Sequence, residues 1–471
     1  MERVIRKQLV NFITETGGYE NSQHGSRAGR STTTQLIQQY MCVLDTLAEG
    51  HNQEIVYLDF SKAFDKVDHQ TLLQKVAKLG VQGELLSWVR AFLEGREQRV
   101  RIGCKLSEPV WVRSGVPQGS VMGPILFLIY ISDLGHDSNI DLLLKYVDDT
   151  KAFGIIKNEE DVALFQEKLQ ILYDWTENNS MRWNEVKFNL LRLGPNTACN
   201  NEIKSNTLLF TPNHENIITE AESVKDLGVM FDKELSFKLQ RQNAINKTLK
   251  KSGWVLRTFR NRSVEFLRQL WKTIIIPHRD YCSILWSPVS QAGDKMSQEG
   301  PQRSFTKKAW GLYGHNYWDR LSVFKLYSIE RRVERYKVLY LYKMINGLVP
   351  DIGLKYPDNS ITRNRDTLLP ITLTATTEAI KTKLRDSLLY NGVRIFNSIP
   401  LTIRNIQNDY CEFKKQLDLY LSKIPDQPAT KDLTPEAKDI YGDPSNSILD
   451  WPRSIDLTSI YPDDSAEDLV F

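Results

Sequence analysis

Three aspartates carry the chemistry that this sequence could perform. Asp148 and Asp149 are adjacent in the tetrapeptide YVDD, and Asp59 closes an apolar run over residues 55–58. Carboxylates brought together raise one another's pKa, and hard divalent cations, which take oxygen ligands, relieve that repulsion. Two such cations about 4 Å apart activate an attacking hydroxyl and stabilise a departing oxygen in an in-line displacement, the chemistry of nucleotidyl transfer. An Asp pair in a hairpin turn also has a plainer origin, because Asp tolerates turn geometry.

The elements that must position these acids can be read from the pattern around them. Ile55, Val56, Tyr57 and Leu58 form a buried strand that delivers Asp59 at its C-terminal end. LLLKY and TKAFGII flank the Asp pair as two apolar arms, which places YVDD in a hairpin turn. Adjacent central strands would then bring all three acids to one edge of a sheet. Upstream, the loop QHGSRAGRSTTTQL runs into a helix with Ser31 as N-cap, and Leu36, Tyr40, Val43, Leu44 and Leu47 recur at helical spacing. SKAFDKVDH turns into a helix, followed by amphipathic helices over residues 72–79 and 85–93 and by the alternating segments RVRIG and PVWVRS. The loop SGVPQGSVMGP feeds the apolar helix ILFLIYISDL, and a helix over 159–178 precedes a strand over 187–193. Strand, helices, paired strands, helix and strand in this order predict an α+β fold, with helices on one face of an antiparallel sheet.

The chain has 471 residues, 41% of them hydrophobic and 10% aromatic, the composition of a globular protein of several domains. Its longest apolar stretch, residues 121–131, is broken by Gly123 and Pro124 and is too short to span a bilayer. The N-terminus lacks the apolar core of a secretory signal, so nucleus or cytoplasm is the expected location and no membrane partner is expected. Five scattered cysteines without a CxxC pair support neither a disulfide framework nor a zinc module. Net charge is +3, yet residues 424–471 carry 11 acids against 3 bases, which leaves the other 423 residues at +11. Between Lys247 and Lys272 eight basic residues face one acid, Glu265, and Trp254, Phe259 and Trp271 interleave with them. That pattern suits nucleic acid, where cations displace condensed counterions and rings stack on bases. It also suits a solvated helix face with aromatic residues turned into a core.

The ordered set QHGSRAGRST, YLDFSKAFDKVDH, SGVPQGSVMGPILFLIYISDL, YVDDTK, NEVKF and KDLGVMFD resembles the successive motifs of reverse transcriptases of non-LTR retrotransposons, jockey and CR1-like elements above all. SIERRVERYKVLYLYKMINGLVPD resembles the helical segment that follows the polymerase core there, so the likeness runs over about residues 20–425. It implies a right-hand polymerase fold: fingers and palm over residues 1–240, the palm sheet carrying the Asp triad; a basic helical thumb-like domain over 241–350; and a C-terminal helical region over 351–423. Residues 424–471, rich in Pro, Asp and Ser with few clustered apolar positions, read from composition as a disordered or acidic tail.

The resemblance also implies roles. Asp59, Asp148 and Asp149 become catalytic metal ligands for two Mg2+ ions, with Mn2+ able to substitute, and the Phe60 backbone approaches the same ions and the triphosphate. Phe64 falls where such enzymes place an aromatic under the sugar, excluding a 2′-hydroxyl; otherwise it is a core residue. Gln118 and Gly119 match the nucleotide-binding loop, where glycine permits close approach and the amide hydrogen-bonds substrate; otherwise PQG is a turn. Arg27 and Arg30 suit a triphosphate or template phosphate, since guanidinium grips two oxygens at once. Lys187 matches the proton donor to departing pyrophosphate, or is an exposed lysine at a strand start. Tyr146, Gly228, Lys250, Lys251, Arg257 and Arg260 are the implied nucleic-acid contacts. RNA template, DNA primer and dNTPs are the implied partners, together with an endonuclease domain encoded upstream. Ser26 and Phe188 depart from the family, which commonly has an aromatic and a cysteine there. A catalytically inactive relic, or a host-recruited RNA-binding protein, is the competing reading.

Overall fold

A computed structural model describes residues 1–194, 217–287, 292–355, 368–424, 426 and 447–450. The chain divides into two compact units: residues 1–35, 49–224 and 232–234 make the first, and 36–48, 225–231 and 235–471 the second. Residues 241–350 and 351–423, expected as separate domains, fall within the second unit together.

In the first unit, strand β1 (Asn52–Leu58) is followed by four exposed two-residue strands, β2 (Glu97–Gln98), β3 (Arg101–Ile102), β4 (Lys105–Leu106) and β5 (Val110–Trp111). Then come β6 (Leu142–Tyr146), β7 (Asp149–Ile156), β8 (Asn189–Leu193) and β9 (Thr219–Glu220). The main sheet has the order β6-β7-β1-β8-β9. Strand β1 runs antiparallel to both neighbours, with Leu58 opposite Thr150 on β7 and Tyr57 opposite Asn189 on β8. The edge strand β9 lies parallel to β8, so the sheet is mixed where the sequence pattern predicts an antiparallel one. Nothing in hydrophobic alternation encodes the direction of a two-residue edge strand.

The helices of this unit are α1 (Glu2–Glu15), α3 (His69–Lys78), α4 (Gly83–Leu93), α5 (Gly123–Tyr130) and α6 (Glu159–Asn178), while α2 (Thr32–Ala48) begins in it and from Leu36 belongs to the second unit. Side-chain caps set the starts of α2, α3 and α6. The Thr34 amide donates to Ser31 Oγ at 3.2 Å, the Thr71 amide donates to Asp68, and Asn158 with Asp161 forms a capping box at the start of α6. Residues 63–65 make only a short 3-10 turn, so the helix expected from SKAFDKVDH starts later, at His69. Helix α5 is apolar all round and buried at every position but Pro124. It packs in one core with Val56 and Leu58 of β1, Ala152 of β7 and Phe165, Leu169 and Leu172 of α6.

The second unit is helical, with Lys238–Thr258, Ala292–Thr306, Ile329–Ile345 and Tyr410–Lys423 as its longer members. Trp271, Phe305, Leu321 and Phe324 form its core, which removes Trp271 from the candidate stacking residues. Phe259 packs partly buried against that core, whereas Trp254 is 45% exposed with Lys251 Nζ 5.9 Å from its ring centroid. The segment 424–471, expected as a disordered tail, lies mostly outside the described residues. Its described part is docked: Ser447 and Ile448 are buried, and the Ile448 amide donates to Glu334 at 3.1 Å. Among the described residues no helix is long and apolar enough to cross a membrane. Cys104 and Cys411 are free, exposed thiols, and Cys199 lies outside the described residues.

Candidate active site

The sheet register gathers the three acids at one end. Asp59 follows the last residue of β1, opposite Thr150, and Asp149 immediately precedes Thr150. Tyr146 pairs with Asp149 across β6 and β7, which leaves Val147 and Asp148 as a two-residue turn. Val147 adopts φ 59°, in the left-handed region that a β-branched residue avoids. Such a conformation costs about 1–3 kcal/mol and persists only where neighbours over-determine it.

The neighbour that does so is Gln23. Its Oε1 accepts from the Val147 amide at 3.0 Å and from the Gly25 amide at 2.7 Å, and its Nε2 lies 3.5 Å from the Val147 carbonyl. The backbone holds the same alignment, with the His24 amide donating to Lys145 O and the Lys145 amide to Ser22 O, both at 2.8 Å. A Cβ on Gly25 would stand 2.5 Å from Val147 Cγ2, so glycine is required for the loop to reach the turn. Sequence reasoning missed Gln23. The signal available was a polar residue two positions before a glycine in the first motif.

Asp59 is fixed from the other side. Its carbonyl accepts from the Asn184 amide at 2.8 Å, the Ser61 amide donates to Arg182 O at 2.8 Å, and the buried Phe60 ring stacks on Trp183 at 4.0 Å. This pairing delivers Lys187, at the end of a 3-10 turn over 185–187, so that its Nζ lies 2.7 Å from Asp59 Oδ2. Strand β8 begins beyond it, at Asn189. The carboxylate of Asp59, with smaller contributions from Asp149 and Asp148, raises the Lys187 pKa. Burial pushes the Asp148 carboxyl up, and the charge of Asp59 adds to that. The four groups therefore share one electrostatic environment. Among the described residues, however, no three His, Cys, Asp or Glu side chains stand as a ready-made metal cluster.

The expected nucleotide-binding residues are also brought together. Phe64 is half-buried and stacks on Phe127 of α5 at 4.6 Å. Its carbonyl accepts from the Val116 amide at 2.9 Å, and Gln118 Nε2 donates to Asp65 Oδ1 at 2.8 Å, so the PQG loop is zipped onto the Phe64 turn. Gly115, at φ 89°, permits this: a Cβ there would meet the Asp65 and Phe64 backbone at 2.9 Å. Gly119 also needs the left-handed region, at φ 77°.

Arg27 and Arg30 are engaged within their own loop. Arg27 donates to the carbonyls of Glu20 and Gln23 and lies 5.0 Å from the Tyr19 ring centroid. Arg30 donates to the Asn21 carbonyl at 2.8 Å and its Oδ1 at 3.1 Å. Gly228, Lys250, Lys251, Arg257 and Arg260 belong to the second unit. Gly228 forms with Leu227 the two-residue turn between β10 (Ser223–Asp226) and β11 (Val229–Asp232), and the four cations are exposed.

With this geometry in place, likeness to known proteins becomes informative. Residues 1–231 match the family model "Reverse transcriptase (RNA-dependent DNA polymerase)". These residues belong to the reverse transcriptase family. The chain is 27% identical to the RNA-directed DNA polymerase from mobile element jockey of Drosophila funebris, over 59% of this chain and 30% of that protein. It is 30% identical to the probable RNA-directed DNA polymerase from transposon BS of Drosophila melanogaster, over 50% of this chain and 26% of that protein. The chain thus spans under a third of the length of these relatives, and the reverse transcriptase domain is of the non-LTR retrotransposon kind. Among solved structures, apo telomerase from Candida tropicalis matches 89% of this chain and 61% of its own at 12% identity, with a TM-score of 0.38.

Proposed function

We propose that this chain is an RNA-directed DNA polymerase that extends a DNA 3′ end on an RNA template with dNTPs. The observation that carries the reading is the convergence, at one end of a sheet in a reverse transcriptase domain, of Asp59, Asp148 and Asp149 with a lysine salt-bridged to the first of them. In right-hand terms, residues 1–240 are fingers and palm, 241–350 a thumb-like domain and 351–423 a further helical region.

The three carboxylates fit divalent cations in kind. They are hard oxygen donors, and the ammonium of Lys187 already rests on Asp59 as a cation would. Admitting metal means exchanging that ion pair. Asp59, Asp148 and Asp149, with the Phe60 backbone, would hold the ions, which when bound activate the primer hydroxyl and stabilise the leaving pyrophosphate oxygen. The chain's own residues do the rest. The Gln23 clamp holds the YVDD turn, and Phe64 and the Gln118–Gly119 loop bind and orient the nucleotide, the ring excluding a 2′-hydroxyl. Lys187, kept protonated by its acidic neighbours, donates a proton to pyrophosphate. Arg27 and Arg30 shape the finger loop and reach a triphosphate only by releasing their present carbonyl partners. Tyr146 and Gly228, with the exposed cations Lys250, Lys251, Arg257 and Arg260, meet template and primer.

Primer extension on an RNA template tests the assignment, with the Asp148→Asn variant as control. Product from the parent alone, dependent on Mg2+, supports it. Tight RNA binding with no product from either refutes it in favour of a non-catalytic RNA-binding protein.

A further inference from the structure

The second unit encloses a cavity of about 210 Å3 that the proposed polymerisation does not use. It lies among Arg279, Gln298, Lys295, the helix Ile329–Ile345 with Lys337, Arg394, and the docked Ser447. Its walls mix polar and apolar side chains, and some of the polar groups have no protein partner among the described residues. Arg279 is 3% exposed, yet its Nε and Nη1 have no hydrogen-bond partner among the described residues; only Nη2 is used, toward Ser287 Oγ at 3.3 Å. Gln298, also 3% exposed, lacks a partner on both atoms of its amide. Buried donors and acceptors of this kind cost about 1–3 kcal/mol each when left open, so the cavity favours a polar occupant.

The charge balance identifies that partner's sign. Lys295 is neutralised by Glu330 at 2.6 Å. Glu334 accepts from Ser447 Oγ and the Ile448 amide, and its other neighbour, Arg331, balances it. That leaves Arg279, held over the Trp286 ring, and Lys337, whose Nζ donates to the neutral Asn391 at 2.8 Å, as buried cations with no carboxylate bonded to either; exposed Arg394 adds a third charge at the rim. Burial pushes the Arg279 guanidinium down to about 10 against the charges of Asp280 and Glu299, and the Lys337 ammonium down to about 8 against those of Asp386, Glu334 and Glu330.

We infer that this cavity is a binding site for a small phosphomonoester, whose dianionic phosphate sits between Arg279, Lys337 and Arg394 while the Gln298 amide reads a polar group esterified to it. A carboxylate would answer one cation; a dianion answers two, and the Gln298 amide, open as both donor and acceptor, calls for more than a bare oxyanion. The volume agrees, being smaller than the roughly 300 Å3 at which sites for drug-sized ligands begin. Because Ser447 and Leu449 form part of the wall, occupancy also stabilises the docking of that segment onto the helix at Glu334. The inference is independent of polymerase activity.

Hydrogen exchange on the full chain, read by mass spectrometry at residues 279–287 and 447–450, tests it with glycerol 3-phosphate, inorganic phosphate and a short RNA carrying internal phosphates only. Glycerol 3-phosphate is expected to protect both segments and inorganic phosphate to do so more weakly. The glycerol 3-phosphate affinity should fall about tenfold or more in Arg394→Gln, the scale of one charge-assisted hydrogen bond, and about threefold or more in Gln298→Leu, the scale of a neutral one. Arg394 is exposed, so its substitution leaves folding intact. No protection at millimolar glycerol 3-phosphate, unchanged affinity in both variants, phosphate as tight as glycerol 3-phosphate, or protection by the RNA alone overturns the assignment.

Discussion

Replacing Gln23 by Ala should disable the chain without touching any aspartate. The substitution removes the acceptor of two amides, those of Val147 and Gly25, at 3.0 and 2.7 Å. Each orphaned donor costs about 1–3 kcal/mol where it stays dry, and the left-handed strain of Val147 is then unopposed. The turn can escape both penalties by rotating Val147 out of φ 59°, which re-aims Asp148 and Asp149. Misplacement of reacting groups by about 1 Å costs on the order of 100-fold in rate, and that is the loss expected in kcat for primer extension. A second substitution isolates the cause. Val147→Gly removes the strain, because glycine enters the left-handed region freely. In that background Gln23→Ala should cost about tenfold less than in the parent, a coupling that a double-mutant cycle measures directly. Extension by Gln23→Ala within twofold of the parent, or strictly additive effects with Val147→Gly, would refute the clamp.

Asp148→Asn should abolish extension and raise the thermal midpoint at neutral pH. Burial and the charge of Asp59 lift the native carboxyl pKa, so its ionised form weighs against the folded state there, and a neutral amide relieves that cost; an unchanged or lower midpoint contradicts this. Lys187→Arg should keep the ion pair with Asp59 yet slow extension about 100-fold, since guanidinium does not release a proton, with an unaltered melting curve as the companion measurement. The stability of the second unit should show a trough near neutral pH. Burial lifts Glu299 and Glu334 to about 7, so stability falls as pH rises from their unfolded values through about 7, and the lowering of Lys337 to about 8 makes it recover as pH rises beyond that value. Thermal midpoints across this range, flattened on the acid side by Glu299→Gln, are the check. Gly154→Ala should destabilise the first unit by about 1–3 kcal/mol in denaturant titration, because its Cβ would lie 2.7 Å from the Phe165 ring.

Sequence pattern conveys the elements of the site better than it conveys their supports. The apolar run ending in Asp59, the two apolar arms around YVDD and the Ser31 cap are local signals, and each element forms where its residues dictate. Helix α6 occupies the expected 159–178 because Asn158 and Asp161 close its first turn reciprocally. What escapes is non-local. Gln23 acts on a residue more than a hundred positions away, and its amide carries no periodicity. Trp271 and Trp254 look alike in a basic aromatic stretch, yet one is core and the other half-exposed, since only the packed helices fix which face is inward. The docking of Ser447 and Ile448 depends on a buried Glu334 that an acidic, proline-bearing composition gives no reason to expect.

The position of β1 between β7 and β8 has a consequence for how this domain can vary. One inserted residue within that strand would turn Asp59 to the opposite face and part it from both the Asp149 rung and Lys187. The short exposed ladders between Glu97 and Trp111 carry no comparable burden. Length changes, natural or engineered, should therefore accumulate in those ladders, and a reporter peptide placed between β3 and β4 should leave the domain folded.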